Sequence, residues 1–403
     1  MNMNVIQGPT AADIHQVGAI GGGQLAWMML EAAQRLGLEM AIQTPNAHDP
    51  AVINRSPDMQ SEKKVILARI ADAKATARLA QHCQVITFEN EFVDLPALKE
   101  LETQGVCFRP GLSVLAAVLD KLEQRQFLRS LGLSVPAFAA ITPQDNPQAL
   151  GFDFPLVIKS RRHGYDGQGT FILRDEVELQ EFWQRFESDP TDIAQRFMVE
   201  AFVPFERELA IMAARSATGE IALYPVVETY QKQQVCRWAI APVTLPSPTQ
   251  TQIETLATKL LEALDAVGIL GIELFLTPDD RVFVNEIAPR THNSGHLTID
   301  ACATSQFEQH LRAVCGLPLG DPALKVAGAV MVNLLGFETA QSDYIEKRQR
   351  LANFPNAKVH WYGKADAKPG RKLGHVTVLL ESADRDSAIA VAQQIEALWY
   401  PDG

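Results

Sequence analysis

The chain has 403 residues, of which 47% are hydrophobic, and it carries a formal net charge of −12. This length predicts roughly two to four folding units, and the composition is typical of a soluble globular protein. The acidic balance, together with the lack of any Lys/Arg-rich run, excludes a large nucleic-acid surface. A local basic pocket for a small anion is still compatible with it.

The cysteines indicate a reducing compartment. There are five of them, at positions 83, 107, 236, 302 and 315, and they form no CxxC pair. We therefore expect buried, reduced thiols in a cytoplasmic protein. The N-terminus lacks the layout of a signal peptide, and the sequence has no run of about 18 apolar residues, so neither export nor a membrane partner is predicted.

The chain divides into three segments that differ in their pattern of predicted strands and helices. Residues 17 to about 110 alternate apolar strands with amphipathic helices, in the order VGAIG, a helix through Leu36, EMAIQT and later QVITFE, which predicts a parallel α/β sheet. From Leu156 the chain becomes a series of strands and tight turns interrupted by one helix, TQIETLATKLLEALDAVG, which predicts an α+β domain. Residues 319–403 add short strands, including VAGAVMVNLL, and a last helix, SAIAVAQQIEALW, which indicates a small closing domain.

The first candidate motif is the glycine turn GAIGGGQLAWM, where Gly21, Gly23 and Ala26 have GxGxxA spacing between a strand and a helix. Dinucleotide binding would also require an acidic residue at the end of the second strand, but that strand ends in Gln43 and Thr44. A tight turn that needs glycine for packing is therefore favoured, and a substrate-contacting turn is the next choice. In the latter case Gln24 would be the side chain that touches the ligand.

The second motif is LVIKSRRHGYDGQGTFIL, in which Lys159 ends a strand and glycines 164, 167 and 169 precede another. A strand-loop-strand arrangement is not a Walker loop, which leads into a helix. Backbone amides of such a loop can hold a phosphate chain, and Lys159 can supply a point charge to it. The alternative is a glycine-rich hairpin loop with an exposed lysine.

The third motif is a pair of carboxylates in GIELFLTPDDRVFVNEI, which predicts two strands around a PDDR turn. An even-length loop centred on Asp279 and Asp280 places Thr277 opposite Val282 and therefore Glu273 opposite Glu286. Facing like charges are destabilising unless something positive lies between them.

A divalent cation would resolve that repulsion, and Mg²⁺ commonly uses one or two carboxylates plus substrate phosphates. Phe275 and Val284 are predicted on the same face as the two glutamates and make it partly apolar. The alternative is a pair of solvated glutamates on an exposed face. The prediction depends on the strand register.

Taken together, Lys159, the GYDGQG loop, the EAFV strand, Glu208 and the Glu273/Glu286 pair resemble the ATP-grasp fold. More narrowly, GGGQL, HGYDGQG, NEIAPRTHNSGH, TSQFEQHLRA and KPGRKLGH resemble the 5-(carboxyamino)imidazole ribonucleotide synthase family, from about Val17 to His375. The resemblance implies an N-terminal Rossmann-like pre-ATP-grasp domain over 1–115 and an ATP-grasp domain over 116–318, with a mobile lid at about 150–205. It also implies a small C-terminal closing domain over 319–403, and a homodimer.

In function, the resemblance implies an ATP-dependent carbon-nitrogen ligase of purine biosynthesis. Its members join bicarbonate to the exocyclic amine of 5-aminoimidazole ribonucleotide through carboxyphosphate, and they release ADP and phosphate. The implied cofactors are ATP and Mg²⁺, with Mn²⁺ as the alternative metal, and product hand-off to a mutase is the implied partnership.

Other functions are kept as alternatives. They are another ATP-grasp carboxylase such as biotin carboxylase, a formate-dependent ribonucleotide transformylase, a non-catalytic nucleotide-binding module and a Rossmann oxidoreductase. HNSGH and KPGRKLGH argue against the first two.

Site roles carried over from the family fall into four groups. The Glu200–Val203 strand would give backbone hydrogen bonds to adenine from a free strand edge, and Glu208 would accept from the ribose hydroxyls. The residues expected to bind the nucleotide are Arg109, Lys159, Gly164, Tyr165, Asp166, Gly167, Gln168, Gly169, Thr170, Glu200, Ala201, Phe202, Val203, Glu208, Gln231, Asn285 and Glu286, and the expected metal ligands are Glu273 and Glu286. The residues expected to bind the substrate are Gln24, Glu89, Tyr165, Asp166, Arg290, His292, Asn293, Ser294, Lys364 and Arg371. The expected catalytic residues are Lys159, Arg290, His292 and Asp166.

Within these sets, Arg290 would hold bicarbonate or carboxyphosphate through its planar fork. Proton transfer by His292 or Asp166 stays open, since His292 equally fits a hydrogen-bonding role. Lys364 and Arg371 would bind the substrate monophosphate, although lysine and arginine in such a hairpin are ordinarily solvated. Glu89 and Glu91, with Gln24, are weaker candidates for contacting the substrate ribose or imidazole.

The chain departs from the family pattern at two positions. Gln168 stands where the family often has Arg or Lys, and Gln231 stands where a His aligns.

Overall fold

The computed structural model describes residues 14–55, 64–162, 164, 169–186 and 196–401. Tyr165, Asp166, Gly167 and Gln168 lie outside the described residues. The strands are β1 (Gln16–Ile20), β2 (Glu39–Thr44), β3 (Val65–Leu67), β4 (Val85–Phe88), β5 (Phe138–Ala140), β6 (Leu156–Ser160), β7 (Thr170–Leu173), β8 (Phe197–Ala201), β9 (Arg207–Arg215), β10 (Ile221–Leu223), β11 (Val227–Lys232), β12 (Val235–Ala241), β13 (Gly268–Leu276), β14 (Val282–Ala288), β15 (Gly328–Leu335), β16 (Ala340–Gln341), β17 (Ala357–Trp361), β18 (Asp366–Ala367) and β19 (Lys372–Leu380).

The helices alternate with these strands, and half of those described begin at a side chain that caps them. Asp72, Asp94, Asp120 and Ser305 each accept a hydrogen bond from a backbone N–H of the first turn, which satisfies donors that the helix itself leaves unpaired. The helices are α1 (Gln24–Arg35), α2 (Pro50–Ile53), α3 (Ala73–Ala80), α4 (Leu95–Thr103), α5 (Leu112–Val118), α6 (Lys121–Ser130), α7 (Glu176–Gln184), α8 (Ser247–Leu264), α9 (Thr298–Ala301), α10 (Gln306–Cys315), α11 (Ile345–Ala352) and α12 (Arg385–Trp399).

The N-terminal segment forms the predicted parallel sheet, in the order β3-β2-β1-β4. Val17 lies opposite both Met40 and Val85, so β1 is an inner strand. Every residue of β4 is buried, as expected for parallel strands covered on both faces. The carboxyl ends of β1 and β4 therefore meet at one edge, where the GGGQ turn and the TFENE segment begin.

A large sheet occupies the middle of the molecule, in the order β14-β13-β9-β11-β12-β15-β19-β17, with β10 paired to β9. Helix α8 buries Ile253, Leu256 and Leu260 against the inner strands, at the spacing of an amphipathic helix. The segment EIALYPVVETY forms two strands, β10 and β11, on either side of Pro225.

The C-terminal strands continue this same sheet. Strand β12 pairs with β15 through four residue pairs, from Trp238 opposite Val332 to Ala241 opposite Ala329. The C-terminal segment also has its own core, in which Trp399 and Leu351 are fully buried.

A smaller antiparallel sheet, in the order β5-β8-β6-β7, lies beside the large one. An aromatic cluster fills its core, including Phe182, Trp183 and Phe197. Lys159 lies opposite Thr170 on the outer pair of strands, which confirms the predicted strand-loop-strand arrangement.

All five cysteines are free thiols. Burial raises the pKa of Cys83, Cys302 and Cys315 to about 12, which keeps these thiols protonated and unreactive. Within the described ranges, no helix is both long enough and apolar enough to cross a membrane.

Candidate active site

Glu273 and Glu286 lie directly opposite each other on β13 and β14, as predicted. The predicted turn, however, is wrong. The backbone N–H of Thr277 donates to the carbonyl of Arg281 at 3.0 Å, which makes a three-residue loop with Asp280 at a φ of 60°. Such a loop would offset the glutamates, but the register shifts by one residue beside Asn285, and this β-bulge restores the pairing.

The bulge also changes which residues share the glutamate face. Val284 lies opposite Leu274, and both side chains are in the core on the other side of the sheet, so the prediction for Val284 is wrong. Phe275 lies opposite Phe283 and stacks on Phe205, with ring centroids 4.7 Å apart. The stacked rings of Phe205 and Phe275 therefore lie beside the carboxylates.

The two carboxylates have different partners. Lys121 Nζ lies 2.6 Å from Glu286 Oε2. Burial raises the pKa of Glu286, but the adjacent Lys121 ammonium outweighs it and the pKa lies below its ordinary value. Burial and the facing Glu286 raise the pKa of Glu273 to about 7. The pair therefore carries negative charge that Lys121 compensates on one side only.

Glu208 stands next to this pair, on the neighbouring strand β9 opposite Phe275. Burial and the charge of Glu273 raise the pKa of Glu208 to about 8. Three carboxylates thus converge at one end of the large sheet.

A buried ion-pair triad links the small sheet to this end of the large one. Glu200 accepts from Arg125 Nε at 2.5 Å and from Lys159 Nζ at 2.8 Å, and all three side chains are almost fully buried. Burial raises the pKa of Glu200, but Arg125 and Lys159 outweigh it and lower the pKa to about 2. Lys159 Nζ also donates to Asn285 Oδ1 at 3.1 Å, so the lysine reaches the bulge beside Glu286. The lysine is therefore buried rather than exposed.

The expected free strand edge at Glu200 and Ala201 is wrong. β8 lies between β5 and β6, so Glu200 is opposite both Phe138 and Val157. The Glu200 side chain forms the triad described above. Phe202 and Val203 lie beyond the end of β8 and outside its ladder.

The glycine loop is described only at its two ends. Ser160 N donates to Gly169 O at 2.6 Å, and a Cβ on Gly169 would lie 2.7 Å from Ser160 Oγ. Gly169 has a φ of 81°, which favours glycine. This glycine closes the loop between β6 and β7.

Arg290 is bound by the N-terminal domain. Its Nε and Nη2 atoms lie 2.6 and 3.0 Å from the two oxygens of Glu91, and Nη1 donates to Thr291 O at 3.2 Å. Although burial disfavours the charged guanidinium, Glu91, Glu89 and Glu286 together raise the pKa of Arg290 above its ordinary value.

His292 faces the metal-site candidates. Its Nε2 lies 3.5 Å from Glu273 Oε1, and its Nδ1 lies 2.8 Å from Ser294 Oγ. Gln306 fixes the backbone of His292 from both sides, since Oε1 accepts from His292 N at 2.9 Å and Nε2 donates to His292 O at 2.7 Å. Asn293 instead exchanges hydrogen bonds with Asn333 and is buried, so it ties the loop to β15.

The glycine turn packs tightly against Glu89. Gly21 has a φ of 118°, and a Cβ on Gly23 would lie 2.5 Å from Glu89 Oε1. This close approach confirms that packing requires the glycines. Burial raises the pKa of Glu89 to about 7, opposed by Arg290 and Lys364.

Gln24 and Lys364 meet across the domains, with Lys364 Nζ donating to Gln24 Oε1 at 3.0 Å. The cluster of Glu89, Gln24 and Lys364 thus brings together three predicted substrate residues. Arg371 follows Lys364 in the same C-terminal segment, and its Nη1 donates to Asp366 O at 2.8 Å.

Two further predicted nucleotide residues, Arg109 and Gln231, lie on other segments of the chain. Arg109 donates from Nη1 to the carbonyl of Val314, at 2.7 Å near the end of α10. Gln231 lies on β11 opposite Cys236.

Lys121 and Arg125 are site residues that the sequence analysis missed. With Gln124, they lie at positions i, i+3 and i+4 of α6 and form one polar face. That face meets β14: Lys121 binds Glu286, Gln124 Oε1 accepts from Ile287 N at 3.2 Å, and Arg125 Nη2 donates to the carbonyl of Asn285. The polar spacing in DKLEQRQFL was the available signal.

The donor set at the glutamates fits Mg²⁺. In the described part of the chain, no group of three or more His, Cys, Asp and Glu side chains is arranged to hold a metal unaided. Glu273 and Glu286 supply two facing carboxylates, which suits a hard cation whose remaining ligands are phosphate oxygens and water. Burial and then the facing Glu286 raise the pKa of Glu273, and a divalent cation between the two carboxylates would favour their charged forms.

Comparison with known families identifies three domains along the chain. Residues 126–307 match an ATP-grasp domain, residues 14–118 match a ribonucleotide synthetase preATP-grasp domain, and residues 329–388 match a phosphoribosylaminoimidazole carboxylase C-terminal domain.

Individual relatives cover nearly the whole chain. It is 53% identical over 405 residues to N5-carboxyaminoimidazole ribonucleotide synthase of Synechococcus elongatus, covering 98% of each chain. The synthase of Synechocystis sp. is 51% identical, with 96% of this chain and 98% of the relative covered.

A solved structure shows the same fold. The Aspergillus clavatus N5-carboxyaminoimidazole synthase in complex with ADP and 5-aminoimidazole ribonucleotide has a TM-score of 0.84 and 29% identity, covering 96% of this chain and 98% of that one. On this shared fold, sequence and domain order, the chain belongs to the N5-carboxyaminoimidazole ribonucleotide synthase family of ATP-grasp ligases.

Proposed function

We propose that the chain uses ATP to carboxylate the exocyclic amine of 5-aminoimidazole ribonucleotide with bicarbonate, in purine biosynthesis. The observation that carries the proposal is the meeting of Lys121 and Lys159 with three glutamates on β9, β13 and β14, where Arg290 follows β14. A relative that binds ADP and 5-aminoimidazole ribonucleotide supports it.

In the first half-reaction, ATP would transfer its terminal phosphoryl group to bicarbonate and give carboxyphosphate. Lys159 and Lys121 would neutralise phosphate oxygens, and Glu208 would accept from the ribose hydroxyls. Mg²⁺ held by Glu273 and Glu286, or Mn²⁺ in its place, would supply charge compensation on the transferring group. Phe202 and Val203, beyond the end of β8, would contact the adenine.

In the second half-reaction, the amine would attack the carbon of carboxyphosphate, the bond from that carbon to the phosphate oxygen would break, and phosphate and the amine proton would leave. Arg290 would hold the oxyanion. Lys364 and Arg371 would bind the substrate monophosphate, and Gln24 and Glu89 would contact its ribose or imidazole. His292 is held by Gln306 and Ser294, which supports a positioning role; Asp166 stays the alternative proton-transfer group.

The wider context follows the family. We infer a Rossmann-like domain over 1–115, an ATP-grasp domain over 116–318 with a lid at about 150–205, and a C-terminal domain over 319–403. A homodimer in the cytoplasm that passes its product to a mutase is the proposed setting.

The test is coupled ADP release from ATP and Mg²⁺. We expect release to require both 5-aminoimidazole ribonucleotide and bicarbonate, with formation of the carboxylated product. Release that is independent of the ribonucleotide, or no release under any condition, would contradict the proposal.

A further inference from the structure

Glu91 holds Arg290 by one edge of its guanidinium. Both carboxylate oxygens of Glu91 are engaged, by Nε at 2.6 Å and by Nη2 at 3.0 Å. This two-point contact fixes the plane of the guanidinium as well as its position. The two side chains are only 18% and 19% exposed, so the pair is shielded from solvent screening.

The remaining donors of Arg290 define where an oxyanion can bind. A guanidinium has five N–H donors. Two are used by Glu91 and a third, on Nη1, by Thr291 O at 3.2 Å. One N–H is left on each terminal nitrogen, without a partner among the described residues. Because Glu91 binds the Nε–Nη2 edge, the remaining N–H of Nη2 lies on the terminal edge, which is the edge between Nη1 and Nη2.

Glu91 is itself held in place by its own loop. Glu89 N donates to Ile20 O at 2.9 Å, Phe92 N to Asn90 Oδ1 at 2.8 Å, and Val93 N to Glu91 O at 2.8 Å. The segment that follows β4 is thus fixed on both sides of Glu91. The carboxylate of Glu91 in the N-terminal domain is therefore already in position to bind Arg290 of the ATP-grasp segment.

We propose that Glu91 is a positioning residue, which orients Arg290 so that the terminal edge of the guanidinium binds bicarbonate and then carboxyphosphate. This inference rests on the proposed function. It differs from a direct substrate contact by Glu91, in which the carboxylate would accept from the ribonucleotide instead of orienting Arg290. It also differs from a placeholder role, in which Glu91 would occupy the anion site and leave when bicarbonate arrives.

The test compares Glu91→Gln and Glu91→Ala with the unaltered full-length protein, with bicarbonate as the varied substrate at saturating ATP and 5-aminoimidazole ribonucleotide. Glutamine keeps one acceptor but loses the charge, so we expect the KM for bicarbonate to rise about tenfold or more, and further for alanine. The KM for ATP should stay within about twofold, which a general loss of structure would not produce.

Glu396→Gln is the matched control. Glu396 lies 2.7 Å from Arg237 Nε in an ion pair of similar burial, away from the site. It should leave the KM for bicarbonate unchanged. If a Glu91 variant has a lowered unfolding midpoint, the same substitution is also made in a protein that carries Arg290→Lys. A residue that acts only through Arg290 should not change the KM for bicarbonate further in that protein.

The outcomes distinguish a failure of the proposed function from a failure of the positioning role of Glu91. An unaltered protein whose ADP release does not depend on ribonucleotide and bicarbonate overturns the proposed function. A working protein in which Glu91→Gln leaves the KM for bicarbonate unchanged, or adds its full effect in the Arg290→Lys background, overturns the positioning role alone. A lowered KM in Glu91→Gln overturns it in favour of the placeholder.

Discussion

Replacing Glu200 by Gln tests the buried triad. The substitution keeps the shape of the side chain and one acceptor, but it leaves Arg125 and Lys159 without the carboxylate that neutralises them. Lowering the pKa of Glu200 from 4.5 to about 2 corresponds to about 3 kcal/mol of stability at neutral pH. This agrees with the about 3–5 kcal/mol that breaking a buried ion pair costs. Both cations keep a contact to Asn285, so we expect the lower end, about 3 kcal/mol.

The assay is urea unfolding of the full chain at pH 7. Glu178→Gln is the control, since Glu178 pairs with Arg174 at 3.3 Å on the surface and should change the free energy of unfolding by less than about 1 kcal/mol. The folded pKa of Glu200 is depressed, so its contribution is full above pH 4.5 and is lost as the pH falls towards about 2. A Glu200→Gln protein within about 1 kcal/mol of the unaltered one at pH 7 would refute the reasoning, because relief of carboxylate desolvation would then balance the lost pairing.

Three further predictions concern the metal, the substrate and pH. Glu286→Gln should lower Mg²⁺-dependent kcat by about 100-fold or more while the circular dichroism spectrum stays unchanged, and undiminished turnover would refute the metal assignment. Lys364→Ala and Arg371→Ala should each raise the KM for 5-aminoimidazole ribonucleotide by about tenfold with the KM for ATP unchanged, and an equal rise in both constants would count against a phosphate site. Burial lowers the pKa of His310 to about 4 from its ordinary 6.5, so the contribution of this one histidine to stability should fall by about 1 kcal/mol between pH 7.5 and 5.5, as the unfolded chain gains a proton that the folded one rejects. His310→Gln should flatten this dependence in urea titrations, and an unchanged slope would assign it to other groups.

The sequence predicts local features of the fold well, because they depend on short patterns. The alternation of apolar strands and amphipathic helices predicted the parallel sheet, and the PDDR turn predicted the hairpin of β13 and β14. The pairing of Glu273 with Glu286 was right although the turn length was wrong, since the bulge at Asn285 compensates. A bulge adds one residue to one strand and has no strong sequence signal of its own.

Long-range pairings were not predictable in the same way. Glu200 meets Arg125, 75 positions away, and Lys159 reaches Asn285, 126 positions away. Several arginines and glutamates could satisfy one another, and the spacing along the chain does not select between them. The polar face of α6 was visible, but the strand that it contacts is decided by tertiary packing.

The ladder between β12 and β15 has a mechanical consequence. A hinge between the central and C-terminal lobes would have to break the backbone hydrogen bonds that run from Trp238 to Ala241. The two lobes therefore move as one body. The small sheet has a different kind of contact with the large one. Side chains of Glu200 and Lys159 bind Arg125 of α6 and Asn285 of β14. Moving the small sheet away from the large one would therefore break these side-chain contacts and leave the ladder intact.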